Sequence, residues 1–167
     1  MKTLALIGLL LASPALGQNP WDLTKKAVGK ATVGKLEKQI NKRLLDESRK
    51  NQCSFVVDSD RLAPGCDPKA KRLANAVVDA KKRLNAAGVK NFKFEVAGHT
   101  DSSGDPGHNK ALSERRAQAI RRQLVAKGVP QGDIIAVGRG AEQLLVKPDD
   151  TPAKKARNRR YEIQVRL

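Results

Sequence analysis

Arg116 is the residue whose position most demands a chemical explanation. On a helical wheel over residues 109–127 it falls between Leu112 and Ile120, inside the apolar sector. Glu114, Arg115, Gln118, Arg121 and Arg122 fall on the opposite arc. A partly buried guanidinium without an anion is costly, so two readings compete. Arg116 pairs permanently with an acid of its own domain, or it lies on a pocket floor and offers a bidentate fork to a ligand carboxylate. Asp101, on the loop that feeds this helix, is the nearest obvious acid. Together they could bind one zwitterionic group, Asp101 taking an ammonium and Arg116 a carboxylate. Catalysis has little support. Ser113 lacks a Gly-x-Ser-x-Gly elbow and no Cys–His pair is apparent, so no enzyme is expected. His99, His108, Asp101 and Asp105 match no metal-ligand spacing, and Gly138-Arg139-Gly140 lacks the third glycine of a dinucleotide loop. We therefore expect neither metal nor cofactor.

The 167 residues carry 33 Lys+Arg against 17 Asp+Glu, a net charge of +16, and a pI near 10.3. That length suits one domain with an extension. A hydrophobic share of 40% beside 30% charged residues permits a folded core under a basic surface, and argues against wholesale disorder. Aromatics are only 3%, too few for base-stacking platforms. Residues 1–17 read as a secretory signal: Lys2, an apolar run from Thr3 to Ala12, then Ala15-Leu16-Gly17 before the cut. The apolar run is too short to span a bilayer, and with no Cys at the cut an N-terminal lipid anchor is not expected. An exported basic chain meets wall polymers, phosphorylated headgroups and acidic peptides, so nucleic acid is not the expected partner. Cys53 and Cys66 fit export as a disulfide closing a short loop, worth about 3 kcal/mol in the chain-entropy model.

These residues need elements to hold them. Leu23, Ala27, Ala31, Leu36, Ile40 and Leu44 predict a basic amphipathic helix over 22–50, with an early break at Gly29 and Gly34. Such a helix could lie on an anionic membrane, dock an envelope protein, or pack on the domain that follows. Residues 54–58 read as a short strand and 62–66 as a turn. A helix from Asp67 to Gly88 follows, then a half-buried strand through Phe92, Phe94 and Val96, and the polar loop 98–107. The helix of Arg116, a strand at 134–137, a long loop and a final strand at 161–167 complete the chain. The basic run Lys154, Lys155, Arg157, Arg159 and Arg160 reads as a solvated loop. The order βαβαβ…β implies an α/β (α+β) two-layer sandwich, with two helices on one face of a mixed sheet. The expected organisation is leader 1–17, helical extension 18–50 and domain 51–167.

Four spaced stretches carry a resemblance: Val96-Ala-Gly-His-Thr-Asp101, Asn109-Lys-Ala-Leu-Ser-Glu-Arg-Arg-Ala117, Val137-Gly-Arg-Gly140 and Asn158-Arg-Arg-Tyr-Glu-Ile163. Over residues 51–167 the chain resembles the OmpA-like (OmpA/MotB C-terminal) peptidoglycan-binding domain. The resemblance implies a periplasmic module, in places peripheral to the outer membrane, that binds the peptide stem of peptidoglycan noncovalently. It implies that Asp101 and Arg116 grip the diaminopimelate end, with Asn109 and Thr100 in the same pocket. It also implies that Arg159 or Arg160 supports the pocket or meets ligand carboxylates.

Overall fold

The computed structural model describes residues 29–56 and 58–167. The expected leader and the first turns of the 22–50 helix lie outside the described residues. In chain order the elements are α1 (Gly29–Lys50), α2 (Cys66–Ala86), β1 (Lys93–Gly98), α3 (Pro106–Ala126), a 3-10 turn (Gln131–Asp133), β2 (Ile134–Gly138), α4 (Pro152–Asn158) and β3 (Tyr161–Arg166).

Alternation of apolar and polar residues gives β1 and β3 two unlike faces. The sheet order is β2-β1-β3, with β1 parallel to β2 and antiparallel to β3. The register aligns Phe94 with Ile134 and Val165, and Val96 with Ala136 and Ile163. This apolar face forms one core with Leu73, Val77 and Leu84 of α2, with Ala117, Ile120 and Leu124 of α3, and with Ile40 and Leu44 of α1. The opposite face carries Glu95, held by Arg139 at 3.0 Å and Arg166 at 3.2 Å. Burial pushes the Glu95 carboxyl up, but these two guanidinium partners outweigh it and hold it below its ordinary value. Helix α3 starts where the Asp105 side chain accepts from His108 N–H at 2.7 Å with Pro106 in the first turn, and it ends before Gly128 at φ 98°.

The mixed sheet and its helical cover match the fold read from the sequence, with four corrections. Among the described residues of the expected 54–58 strand none joins the sheet; Phe55 makes an isolated bridge to Leu62 instead. The reason is that the free edge of β3 is already occupied. Asn41 of α1 both accepts from Val165 N–H (2.7 Å) and donates to its carbonyl (3.2 Å). Ser48 accepts from Ile163 N–H (3.1 Å), and Gln52, just beyond the helix, exchanges two bonds with Tyr161 (2.8 and 3.2 Å). Three side chains thus do for the edge what a fourth strand would have done. Second, α1 runs through Gly34 without the expected break and buries Ile40 and Leu44 on the domain, so three long helices rather than two build the core. Of the fates open to that helix, packing on the domain is the one adopted. Third, part of the expected 154–160 loop is helical: α4 is capped by Thr151, whose hydroxyl accepts from Lys154 N–H at 3.3 Å. Fourth, Gly138 is the end of β2 rather than the start of a turn.

Helix α3 lies very close to the sheet. A Cβ on Gly98 would stand 2.2 Å from the Ser113 carbonyl oxygen, and one on Gly138 would stand 2.6 Å from that of Lys110. Both obstacles are backbone atoms of a helix, which cannot step aside. Gly98→Ala is accordingly expected to destabilise the fold by about 3 kcal/mol or more. The measurement is the urea midpoint at unchanged slope; a variant as stable as the parent would contradict the close approach.

Candidate functional site

The loop after β1 is fixed at almost every residue. His99 N–H donates to the Arg160 carbonyl (2.8 Å) and Thr100 N–H to that of Gly140 (3.0 Å). Asp149 accepts from Ser102 N–H at 2.9 Å and also from the Ser102 hydroxyl. Those contacts lower the Asp149 carboxyl to about 2. Asn158, fully buried, donates to Asp149 at 3.0 Å and ties down Leu145 and Val146 through their N–H groups. Asn109 donates to the Ser103 carbonyl at 2.7 Å. Asp101 therefore sits on a rigid mount.

A cleft of about 560 Å³ opens beside this mount, lined among others by Phe55, Asp58, His99, Arg116, Arg159 and Arg160. The Cys53–Cys66 disulfide is formed and closes the loop that supplies Phe55 and Asp58. Arg116 is half-buried. Its Nε donates to the Ser59 carbonyl at 2.9 Å, and its guanidinium lies 5.1 Å from the centre of the Phe55 ring. Burial lowers its pKa; the field of Asp58 opposes that, and Asp101 adds a smaller pull. Arg116 makes no ion pair among the described residues.

Asp101 is paired, but with Arg159: Nη1 to Oδ2 is 2.7 Å, while Oδ1 accepts from Ser103 N–H at 2.9 Å. Burial pushes the Asp101 carboxyl up, but the Arg159 and Ser103 bonds prevail and hold it below its usual range. Arg160 is more tightly bound still, its side chain only 8% exposed. It donates to Glu162 at 2.8 Å and to the carbonyls of Asn158 and Gln143. The structure thus brings Arg116, Arg159 and Arg160 to one cleft, with Asp101 reached through Arg159. Asn109 and Thr100 are not on the cleft wall. Asn109 braces the Asp101 loop, and Thr100 is buried with a hydroxyl that has no partner among the described residues.

Three cleft residues were not foreseen. Phe55 and Asp58 come from a segment read as a strand, and only the loop's fold over α3 brings them to Arg116. His99, in the stretch read as a polar loop, is 2% exposed with neither ring nitrogen hydrogen-bonded among the described residues, and Glu162 lies 4.0 Å away. Its place between two apolar strand residues and Asp101 was the available signal.

A model of the OmpA family matches residues 55–159. Among curated proteins, outer membrane porin F of Pseudomonas fluorescens is 48% identical over 71 residues, which is 42% of this chain and 22% of that protein. The peptidoglycan-associated lipoprotein of Pasteurella multocida is 43% identical over 68 residues, 41% of this chain and 45% of that protein. This chain therefore spans less than half the length of either relative. Among solved structures, the peptidoglycan-associated lipoprotein of Burkholderia pseudomallei superposes with a TM-score of 0.56 at 24% identity, covering 69% of this chain and 89% of that one, a likeness of fold.

Burial, with help from Arg160, lowers the His99 imidazole to about 4, against about 6.5 in an unfolded chain. The unfolded chain binds this proton first, so stability falls as pH drops from about 6.5 towards 4, and the loss is complete below that. The lowered carboxylates Glu95, Asp101 and Asp149 lose their contribution only at lower pH. Unfolding free energy should decline by about 2 kcal/mol between pH 7 and pH 4.5, and His99→Gln should flatten that slope. Urea titrations across the window decide it; an identical slope in the variant would assign the proton elsewhere.

Proposed function

The chain belongs to the OmpA family, and from that premise we propose that it binds cell-wall peptidoglycan noncovalently in the cell envelope, through the stem peptide. Its part there is to anchor. The observation that carries this reading is Arg116: a half-buried guanidinium facing an open cleft, backed by an aromatic ring and a carbonyl, and in no ion pair among the described residues. Such a group is primed for a ligand carboxylate, because the protein has already met part of its desolvation cost without supplying the anion.

Asp101 supplies the opposite charge. A carboxylate offers about four lone-pair sites, and here one oxygen serves Ser103 while the other serves Arg159. An incoming ammonium, as at the free end of a diaminopimelate side chain, would share or replace the Arg159 contact. Arg159 has its side chain 46% exposed and can turn towards the ligand carboxylate beside Arg116. Arg160, tied to Glu162 and to two carbonyls, holds the cleft wall. Binding rather than catalysis also agrees with Ser113, whose hydroxyl donates to the Lys110 carbonyl and accepts from Gly140 N–H, leaving it unfit to act as a nucleophile.

The test is co-sedimentation with purified peptidoglycan at low and high salt. Arg116→Ala and Asp101→Ala should each weaken retention by about 30-fold, equivalent to about 2 kcal/mol, while the parent remains bound at high salt. Retention that vanishes with salt and ignores both substitutions would mean that the net charge of +16 alone drives association.

A further inference from the structure

A second groove of about 530 Å³ adjoins the cleft and shares Gln52, Arg159 and Arg160 with it, so these three side chains form the ridge between the two. Beyond the ridge it is lined by Arg49, Leu145, Ala156 and Arg157, and by no acid. The guanidinia differ in how far their charge is already used. Arg160 is paired with Glu162 and bonded to two carbonyls, and Arg159 is paired with Asp101. Arg157 has no hydrogen bond or ion pair among the described residues, and Arg49 reaches Asp46 only at 4.0 Å with its side chain 57% exposed. A scattered surface charge would be solvated and mean little. Here an unpaired fork, Arg157, and a loosely paired one, Arg49, stand around an aliphatic wall. Leu145 is 46% exposed, and the buried Asn158 fixes it through its N–H at 2.8 Å. Leu145 thus offers apolar surface from a fixed stretch of backbone directly beside the guanidinia of Arg49 and Arg157.

We propose that this groove is a second anion subsite, which takes another carboxylate of the same stem peptide while a small aliphatic side chain next to that carboxylate packs on Leu145 and Ala156. The inference rests on the peptidoglycan reading above and extends it. Arg116 and Asp101 hold one end of the peptide, the Arg159–Arg160 ridge is crossed, and Arg157 with Arg49 receives the next negative group. Charge complementarity fixes the ligand class. The groove offers fork donors and no acceptor side chain except Gln52, which suits a carboxylate and not a second ammonium.

The experiment is titration calorimetry of the whole chain with a soluble diaminopimelate-containing stem tetrapeptide, its terminal alanine carboxylate free or amidated. With the parent, amidation should weaken binding about tenfold. With Arg157→Gln the two peptides should bind alike, at the level of the amidated peptide on the parent. Arg157 is exposed and unpartnered, so its urea midpoint should stay at the parental value, which separates lost binding from lost fold. If the parent binds neither peptide, the peptidoglycan reading fails and takes this inference with it. If binding needs Arg116 but amidation costs the same in the parent, in Arg157→Gln and in Arg49→Gln, the second subsite is overturned and the first stands. Vesicles of phosphatidylglycerol are the remaining arm. Vesicle binding lost in Arg157→Gln, with no effect of peptide amidation, would make the groove a lipid-headgroup site and overturn the proposal.

Discussion

Helix α3 can lie on the sheet only because Gly98 and Gly138, paired in neighbouring strands, present no Cβ to its backbone. The approach is so close that the Ser113 hydroxyl bridges from the Lys110 carbonyl to Gly140 N–H, locking the ends of β1 and β2 to the helix. That distance sets the height of every α3 side chain above the sheet. It places Ala117 and Ile120 in the core and leaves Arg116, one position before Ala117, at the rim where the core gives way to the cleft. Asn109, one turn into the helix, then reaches the Ser103 carbonyl and draws the Asp101 loop against the same end of the sheet.

A second constraint acts from the other side. With Asn41, Ser48 and Gln52 satisfying the outer edge of β3, the chain between Cys53 and Cys66 has no strand to join. It is tied by its disulfide to the start of α2 and folds over α3, so that Phe55 backs Arg116 and Ser59 accepts from it. One wall of the cleft thus exists because an edge elsewhere was closed. The fully buried Tyr161 links the two arrangements. Its hydroxyl donates to the Asn51 carbonyl and accepts from Cys53 N–H, and burial raises its pKa to about 12.

The electrostatics follow from this geometry. Acids in the site region are mostly committed: Glu162 to Arg160, Asp101 to Arg159 and Asp149 to Ser102 and Asn158. The basic residues outnumber them, so the surplus positive charge is left where the site opens. Arg116 and Arg157 are the two members of that surplus with no carboxylate partner among the described residues. Part of the excess charge read from composition is therefore expressed as forks facing two adjoining openings.

The sequence by itself determined what depends on local pattern and side-chain chemistry. Alternation at 92–96 and 161–167 specified two strands with one apolar face, helical periodicity specified α2 and α3, and the misplaced Arg116 pointed to the helix face that lines the cleft, because these signals need only neighbours along the chain. The short spacing of Cys53 and Cys66 likewise pointed to their bridge. Tertiary structure alone decided who meets whom. It gave Asp101 to Arg159 rather than Arg116, turned Asn109 and Arg160 into supports, and brought Phe55 and Asp58 across to the cleft. It also replaced the expected edge strand with three side chains of α1 and its end, since Asn41, Ser48 and Gln52 carry no sign in sequence that their partners lie more than a hundred residues away. Pairing of that kind is fixed by distances that exist only once the helices have closed on the sheet.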